Sequence, residues 1–540
     1  MKKKKFNILV IIPKQTASKK KNFEYIFPIG IPYISSILKN EGYSVDCANL
    51  NHREGTNQEN LNKILNNKKY DFVCTGSIAT EYTFIKEVMD TIKSHNSKPK
   101  IILGGLIITS EPQVVFKLVE PDYAVIGEGE ETIIELLESL ENKKNLHNLK
   151  GLAFRDEAGK IVFTGMRESK NDINKIPYPD YDDFGFEEYL ENLHPNSHDY
   201  IYSAFDYPRV YPIVGSRGCP FNCTFCYHYN KYRMRSIESI MEELEVQVRK
   251  YRINVVLFYD ECIAANKNRL FEICERIKKL REELPWELHW YPQLTVHNID
   301  DETLKIMKDS GVAGVSYGFE SFSPKVLKSM NKPITPQMIE SAFKKTMDAK
   351  LTIQANFIFG DVAETKETAK ETLDWWKKNA MGQIHLLFVQ PYPGSKLYHQ
   401  ALERGIIKDR EEFIKNVVPF SKFNLTKEMS DKDMVWLRNE ILKATAKYSK
   451  FVVPKIKKAE KNTYNIKVTC PYCKHNFTFK NCVIKNKLIY GHILPCRNCR
   501  KLFYIVSAIE KIGYKNYTIF RSIRDLQKSI FRKLRLEGTL

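Results

Sequence analysis

The sequence predicts an α/β protein in three folded parts: a doubly wound parallel sheet first, a partial (β/α)6 barrel in the middle, and a small cysteine-bearing β module near the C-terminus. Three observations carry this reading. Residues 6 to 140 alternate apolar runs with segments of helical period, and strands alternating with helices imply right-handed crossovers and a parallel sheet. Six more strand-and-helix units follow, short of the eight that close a barrel. Beyond residue 465, the pairs "CPYC" and "CRNC" sit among strand-like runs.

The first part, residues 1–145, has strands at "FNILVII", "YSVDCANL", "DFVCTGS", "KIILGG" and "YAVIGEG", with helices through "IPYISSILKNEG", near 58 to 66, from Tyr82 to Ser94, after Pro112 and from Glu131. Sheets of this Rossmann-like type bind ligands outside the carboxyl ends of their strands. Gly76, Gly104, Gly105, Gly127 and Gly129 fall there and would let backbone approach a bulky ligand, although turn geometry alone accounts for any one of them. Residues 146–205 give a hairpin, "LKGLAFRDEAGKIVFTG", and then "IPYPDYDDFGFEEYL", a rigid connector because proline biases its neighbour toward extended structure. Residues 206–425 supply the barrel strands "YPIVGS", "VVLFY", "LHWYPQL", "GVSYGFE", "IQANFIF" and "IHLLFVQ". Chemistry in TIM-type barrels sits at the strands' carboxyl ends, where Cys219, Asp260, Glu261, Gln293, Glu320, Asp361 and Tyr392 fall. A helical connector at 426–464 leads to the β module at 465–508. A basic tail at 509–540 then sets Ile523, Leu526, Ile530 and Leu534 on one helical face.

Composition narrows the function without naming it. The 540 residues carry a formal charge of +19, and no apolar run reaches the ~20 residues that cross a bilayer. "MKKKKFNILVIIPK" reads as a first buried strand and not a secretion signal, since it has no small-residue cleavage site and Pro13 ends the run. A cytoplasmic protein is expected. Twelve cysteines in a reducing compartment then point to metal or redox chemistry and not to disulfides. The positive charge fits a nucleic acid, an anionic lipid surface, an acidic substrate or a merely solvated lysine-rich surface.

"GSRGCPFNCTFCYHYN" packs Cys219, Cys223 and Cys226 into eight residues. Thiolates suit zinc, copper(I) and iron–sulfur clusters, and three thiolates on a four-iron cluster leave one iron open. The Cys-x3-Cys-x2-Cys spacing directly after the first barrel strand, with Phe225 before the last cysteine, resembles the signature of the radical S-adenosylmethionine (SAM) superfamily. "LFYDECIAANKNRL", "GVSYGFESFSPKVLKSMNK", "FIFGD" and "QPYPGSKLY" resemble its SAM-binding and barrel-closing segments. The resemblance implies a 4Fe–4S cluster on the three cysteines and SAM on its open iron. By the same likeness Glu320 touches the methionine or ribose of SAM over Gly318, Asp260 and Glu261 lie near its amino group, and Phe225 and Gly360 complete the site. It also implies an electron donor such as flavodoxin or ferredoxin and a 5′-deoxyadenosyl radical that takes hydrogen from an unactivated carbon.

Read with that barrel, "FPIGIPYISSILKNEGYSVDCANLN", "KIILGGLIITSEPQ" and "DYAVIGEGEETIIELL" resemble the cobalamin-binding domain of the B12-dependent branch, and the glycines with Thr109 would line the cofactor's nucleotide tail. The histidine loop of methionine synthase-type domains is missing: "PKQTASKKKNFEYIFPIG" has none, and His52 follows the second strand instead. Cobalamin held without a histidine ligand is therefore expected. The first 200 residues hold only Cys47 and Cys74, too few for the second cluster of the tRNA methylthiotransferases. The branch implies methylation of an unactivated carbon on a small-molecule, lipid or natural-product substrate. A cyclase of the anaerobic porphyrin-ester type is the alternative, and a nucleic-acid-binding or RNA-modifying protein is the alternative of another class.

Cys470, Cys473, Cys496 and Cys499, flanking "NFTFK" and "KLIYG", describe a zinc ribbon with a closed, structural ligand shell, with an auxiliary iron–sulfur cluster as the alternative. Cys482 is expected to pack in the module's core. The basic tail permits peripheral membrane contact or docking on the protein itself.

Overall fold

The computed structural model describes residues 4–170, 172–197, 201–263, 266–417, 423–460 and 462–516. The amphipathic part of the basic tail lies outside these residues. Five strands run parallel in the first sheet: β1 (Asn7–Ile12), β2 (Ser44–Asn49), β3 (Phe72–Gly76), β4 (Lys100–Gly104) and β5 (Tyr123–Val125), in the order β2-β1-β3-β4-β5. Ile8, Val10 and Ile12 enter one core and Leu9 and Ile11 another, so β1 is apolar on both faces, as a sheet covered by helices on both sides requires. The expected hairpin is present as β6 (Leu152–Arg155) and β7 (Ile161–Phe163). It does not stand apart as a connector: β6 pairs antiparallel with β5 and β7 antiparallel with β6, which extends the first sheet to seven strands.

The barrel strands are β8 (Val210–Ile213), β11 (Val255–Phe258), β12 (His289–Tyr291) with β13 (Gln293–Leu294), β14 (Gly314–Glu320), β15 (Thr352–Phe359) and β16 (His385–Phe388), all pairing in parallel. The expected third strand is split at Pro292, which has no N–H to give, so the wall forms two arcs, β12-β11-β8 and β13-β14-β15-β16. Two short strands, β9 (Ser216–Arg217) and β10 (Arg233–Met234), pair antiparallel and tie the neck of the cysteine loop.

Two contacts lock sheet and barrel together. In the connector, Phe186 packs edge-on against Phe27 of the first part and Tyr251 of the barrel, both at 5.0 Å between ring centroids, and stacks on Tyr181 at 4.7 Å. On the other side the helix Arg410–Lys415 returns from the barrel and buries Ile414 completely in the second core of the sheet. Arg410 pairs there with the buried Glu111.

The C-terminal module follows the helix Asp431–Tyr448. It holds β17 (Phe451–Val452), β18 (Lys455–Lys458), β19 (Thr463–Thr469), β20 (Asn476–Val483), β21 (Gly491–Pro495) and β22 (Leu502–Val506), in two three-stranded sheets. The "KLIYG" strand is displaced: residues 484–490 form a loop, and pairing with β22 starts at Gly491. Cys482 packs in the module's core, as expected. The module sits at the amino ends of the barrel strands, where Thr352 donates to the carbonyl of Arg500 at 3.2 Å and the Gln383 amide exchanges two hydrogen bonds with the backbone of Leu502, at 2.7 and 2.9 Å.

Truncating Phe186 to alanine removes a fully buried ring from the joint between sheet and barrel. A loss of about 3–5 kcal/mol is expected, read as a lowered denaturation midpoint by circular dichroism.

Candidate active site

A cavity of about 700 Å³ lies between the carboxyl ends of the first sheet and the cysteine loop of the barrel. The sheet side contributes Ile12, Gln15, Gly76, Ser77, Gly104, Gly105, Gly127 and Gly129; the barrel side contributes Arg217, Gly218, Tyr227, His228, Tyr229, Tyr259 and Glu261. Gly104 faces open space, so a Cβ there would take up room inside the cavity. Gly76 serves a different purpose: a Cβ would sit 2.8 Å from the Gly104 carbonyl, so its bareness lets β3 and β4 run together. Gly105 combines both constraints, with φ +84 and Ser77 backbone 2.7 Å from its would-be Cβ.

Thr109 is not a lining residue. Its hydroxyl accepts the Gly127 N–H at 3.0 Å and its carbonyl accepts the Tyr227 hydroxyl at 3.0 Å, so it braces the wall from behind and ties it to the cysteine loop. His52 also lies off the cavity. Its Nε2 faces the Tyr25 hydroxyl at 2.8 Å and its Nδ1 faces Glu188 at 3.3 Å, and burial lowers its pKa to about 4.

The loop carrying Cys219, Cys223 and Cys226 is pinned from two directions. Thr224 donates its N–H to the Met330 carbonyl at 3.0 Å and accepts the Leu397 N–H at 2.8 Å. Gly218 turns the chain at φ +75, with the Lys231 carbonyl 2.8 Å from where a Cβ would stand. All three thiols are free, Cys223 is 8% exposed, and burial pushes the Cys226 thiol up to about 12. A metal must displace those protons to bind. Phe225 turns away from the cavity and packs beside Val389, Leu397 and Tyr398.

Glu320 ends β14 with φ +61, a left-handed conformation that a bulky residue adopts only when its surroundings impose it. Its carboxylate meets Lys332 at 3.2 Å, and the two heads lie over the bare Gly318. Lys332 is the residue the sequence reading missed. Burial opposes its charge, but Glu320 and then Cys223 hold its ammonium above the usual lysine pKa. Asp260 is 1% exposed and takes hydrogen bonds from Gly215 N at 2.9 Å and the Ser216 hydroxyl at 2.5 Å, and burial raises its pKa to about 6. It therefore braces the start of the cysteine loop, while its neighbour Glu261 faces the cavity. Gly360, at φ +93, closes the end of β15, and its N–H goes to Glu364 at 3.2 Å.

Charge joins the two walls. Arg217 reaches Glu130 at 2.5 Å and Glu128 at 3.5 Å; Arg233 also pairs with Glu128, and Asn230 donates to the same carboxylate at 3.1 Å. Burial pushes the Glu128 pKa up, but these donors win and hold it below the usual range.

In the C-terminal module the sulfurs of Cys470, Cys473, Cys496 and Cys499 all lie within 4.8 Å, with Cys470 to Cys499 and Cys473 to Cys496 each at 3.7 Å. Tetrahedral coordination with metal–sulfur bonds of ~2.3 Å has an edge of about 3.8 Å. The four sulfurs therefore form a ready single-ion site.

Residues 213–375 match the radical SAM superfamily and residues 23–137 match the B12-binding domain. The chain therefore carries a radical SAM domain and a B12-binding domain. It is 28% identical over 407 residues to an uncharacterised methyltransferase of Pyrococcus horikoshii, covering 74% of this chain and 84% of the relative. It is 26% identical over 414 residues to the anaerobic magnesium-protoporphyrin IX monomethyl ester cyclase of Cereibacter sphaeroides, covering 74% of this chain and 62% of the cyclase. The fold matches that of the radical SAM methyltransferase TsrM from Kitasatospora setae with a TM-score of 0.60 at 16% identity, over 75% and 77% of the two chains.

Gly218→Ala places a Cβ against the Lys231 carbonyl at positive φ. Anaerobic reconstitution of this variant is expected to give much less of the broad iron–sulfur absorbance near ~400 nm, with far-ultraviolet circular dichroism unchanged.

Proposed function

We propose that this protein is a B12-dependent radical SAM enzyme that methylates an unactivated carbon of a small-molecule, lipid or natural-product substrate. The observation that carries the reading is the single cavity with the glycine-rich ends of the B12-binding sheet on one wall and the cysteine loop on the other. The donor sets fit the cofactors: three free thiols on one pinned loop suit a cluster with an open iron, and Gly104 leaves room for a bulky ring system. When bound, a 4Fe–4S cluster with SAM supplies radical hydrogen abstraction, and cobalamin supplies a methyl group.

The chain's own residues bind, orient and seal. Cys219, Cys223 and Cys226 would hold the cluster, and the Lys332 ammonium beside them would offset the negative charge of thiolates and Glu320. Glu320, fixed in its strained turn by Lys332, presents a carboxylate suited to the methionine or ribose of SAM, with Glu261 near the amino group. Tyr227 and Tyr229 wall the cavity against water. A one-electron donor of flavodoxin or ferredoxin type would serve the cluster in the cytoplasm; among the described residues no helix is long and apolar enough to cross a membrane. The four C-terminal cysteines would hold zinc, because their 3.7 Å pairs suit one ion and a four-iron cluster sets its sulfurs wider apart, each on a different iron.

The cyclase relative supports a second reading, a ring-forming or oxidative reaction at the same site. Incubation with methyl-labelled SAM and cell extract separates the two: label in a product together with 5′-deoxyadenosine is expected, and deoxyadenosine with no labelled product would favour cyclisation. Replacing Cys219, Cys223 and Cys226 together by alanine is expected to abolish the iron–sulfur absorbance while bound corrinoid remains; a retained cluster overturns the site. Elemental analysis should find one zinc per chain, lost in Cys496→Ser together with a lower melting temperature.

A further inference from the structure

Overlapping the cluster loop stands a second group of donors, one of which, His228, the proposed reaction leaves unused. Cys219, His228 and Glu261 each place one ligand atom within 4.8 Å of the other two. His228 Nδ1 is shut off from solvent and lies 3.1 Å from Glu261 Oε2, yet the pair is not aligned as a hydrogen bond. An imidazole nitrogen and a carboxylate oxygen this close, without hydrogen-bond alignment, are placed as co-ligands of one ion are. Nitrogen and oxygen ligands at about 2.05 Å from a tetrahedral ion stand about 3.3 Å apart, close to the observed gap. Both side chains line the cavity, which leaves the fourth position open to water.

We propose that, before the cluster is assembled, Cys219, His228 and Glu261 bind a single divalent ion of the ferrous or zinc class. One thiolate, one imidazole and one carboxylate suit either ion. Cys223 and Cys226 lie four and seven residues along the same loop from Cys219. An iron captured here would therefore stand next to the remaining ligands of the cluster. Once Cys219 joins the cluster, His228 and Glu261 are released to face the cavity. The binding site stands on geometry alone; only its role in loading rests on the reading of Cys219 as a cluster ligand.

Anaerobic titration of the cluster-free full-length protein with cobalt(II) tests the site. Two equivalents per chain are expected: one with the intense bands of four thiolates, from the C-terminal module, and one with a weaker single-thiolate charge-transfer band. His228→Ala and Glu261→Gln are each expected to lose the second equivalent, keep the first, and still accept a full 4Fe–4S cluster on reconstitution. One equivalent in the unmodified protein overturns the proposal. So does a second equivalent that survives both substitutions but vanishes in Cys223→Ala, since the three cysteines would then be the ligands. Failure of the cluster assignment itself would appear separately, as a cluster retained by the triple alanine variant.

Discussion

The site depends on charge buried between two folded parts. Arg217 and Arg233 project from the neck of the cysteine loop, Glu128 from the loop after β5 and Glu130 from the first turn of the helix that follows it, so two arginines and two glutamates meet where the sheet faces the barrel. A charge withdrawn from water is tolerable only when paired and hydrogen-bonded, and removing one partner strands the other. The network therefore fixes which face of the sheet meets the barrel: another docking angle would leave arginines and glutamates apart. Thr109 extends the same logic to neutral groups, with Gly127 on one side and Tyr227 on the other. The cavity's shape follows from these bonds as much as from apolar packing.

Most of the fold was legible because its signals are local. Apolar runs of both-face burial gave the strands of the sheet, and Cys-x3-Cys-x2-Cys gave the loop, since both are written in consecutive residues. What stayed hidden involves partners far apart in sequence. Lys332 lies inside a stretch read as SAM-binding, yet only the folded chain brings its ammonium to Glu320 and the cysteines. Arg233 and Glu128 are 105 residues apart, and no spacing rule links them. The hairpin at β6 and β7 was recognised as a hairpin, but whether it pairs with itself or also with β5 is decided by an edge that sequence does not display. Asp260 shows the converse: its position at a strand end was read correctly, but a carboxylate there can point inward to Gly215 and Ser216 as readily as outward.

Strand polarity divides the barrel into two ends with separate tasks. The carboxyl ends carry the cysteine loop, Glu320 and Gly360, where loops are free to vary without disturbing the wall. The amino ends are sealed by the four-cysteine module, the length of β15 away, on the order of 20 Å for eight residues in a strand. A metal held there would lie too far from the cavity to touch a substrate. At Pro292 the wall divides into two arcs, which the bridge between Trp290 and Val312 still joins.

The seal at the barrel floor also sets an order of assembly. Gln383 precedes the last barrel strand, but the backbone it binds belongs to Leu502, 119 residues later. At roughly 5–20 residues per second, the ribosome delivers the barrel on the order of ten seconds before the segment that completes its base. Until then the amide of Gln383 and the hydroxyl of Thr352 are met by water, and the strand ends they guard are open edges. The interval closes only when β22, which carries Leu502, reaches the barrel floor.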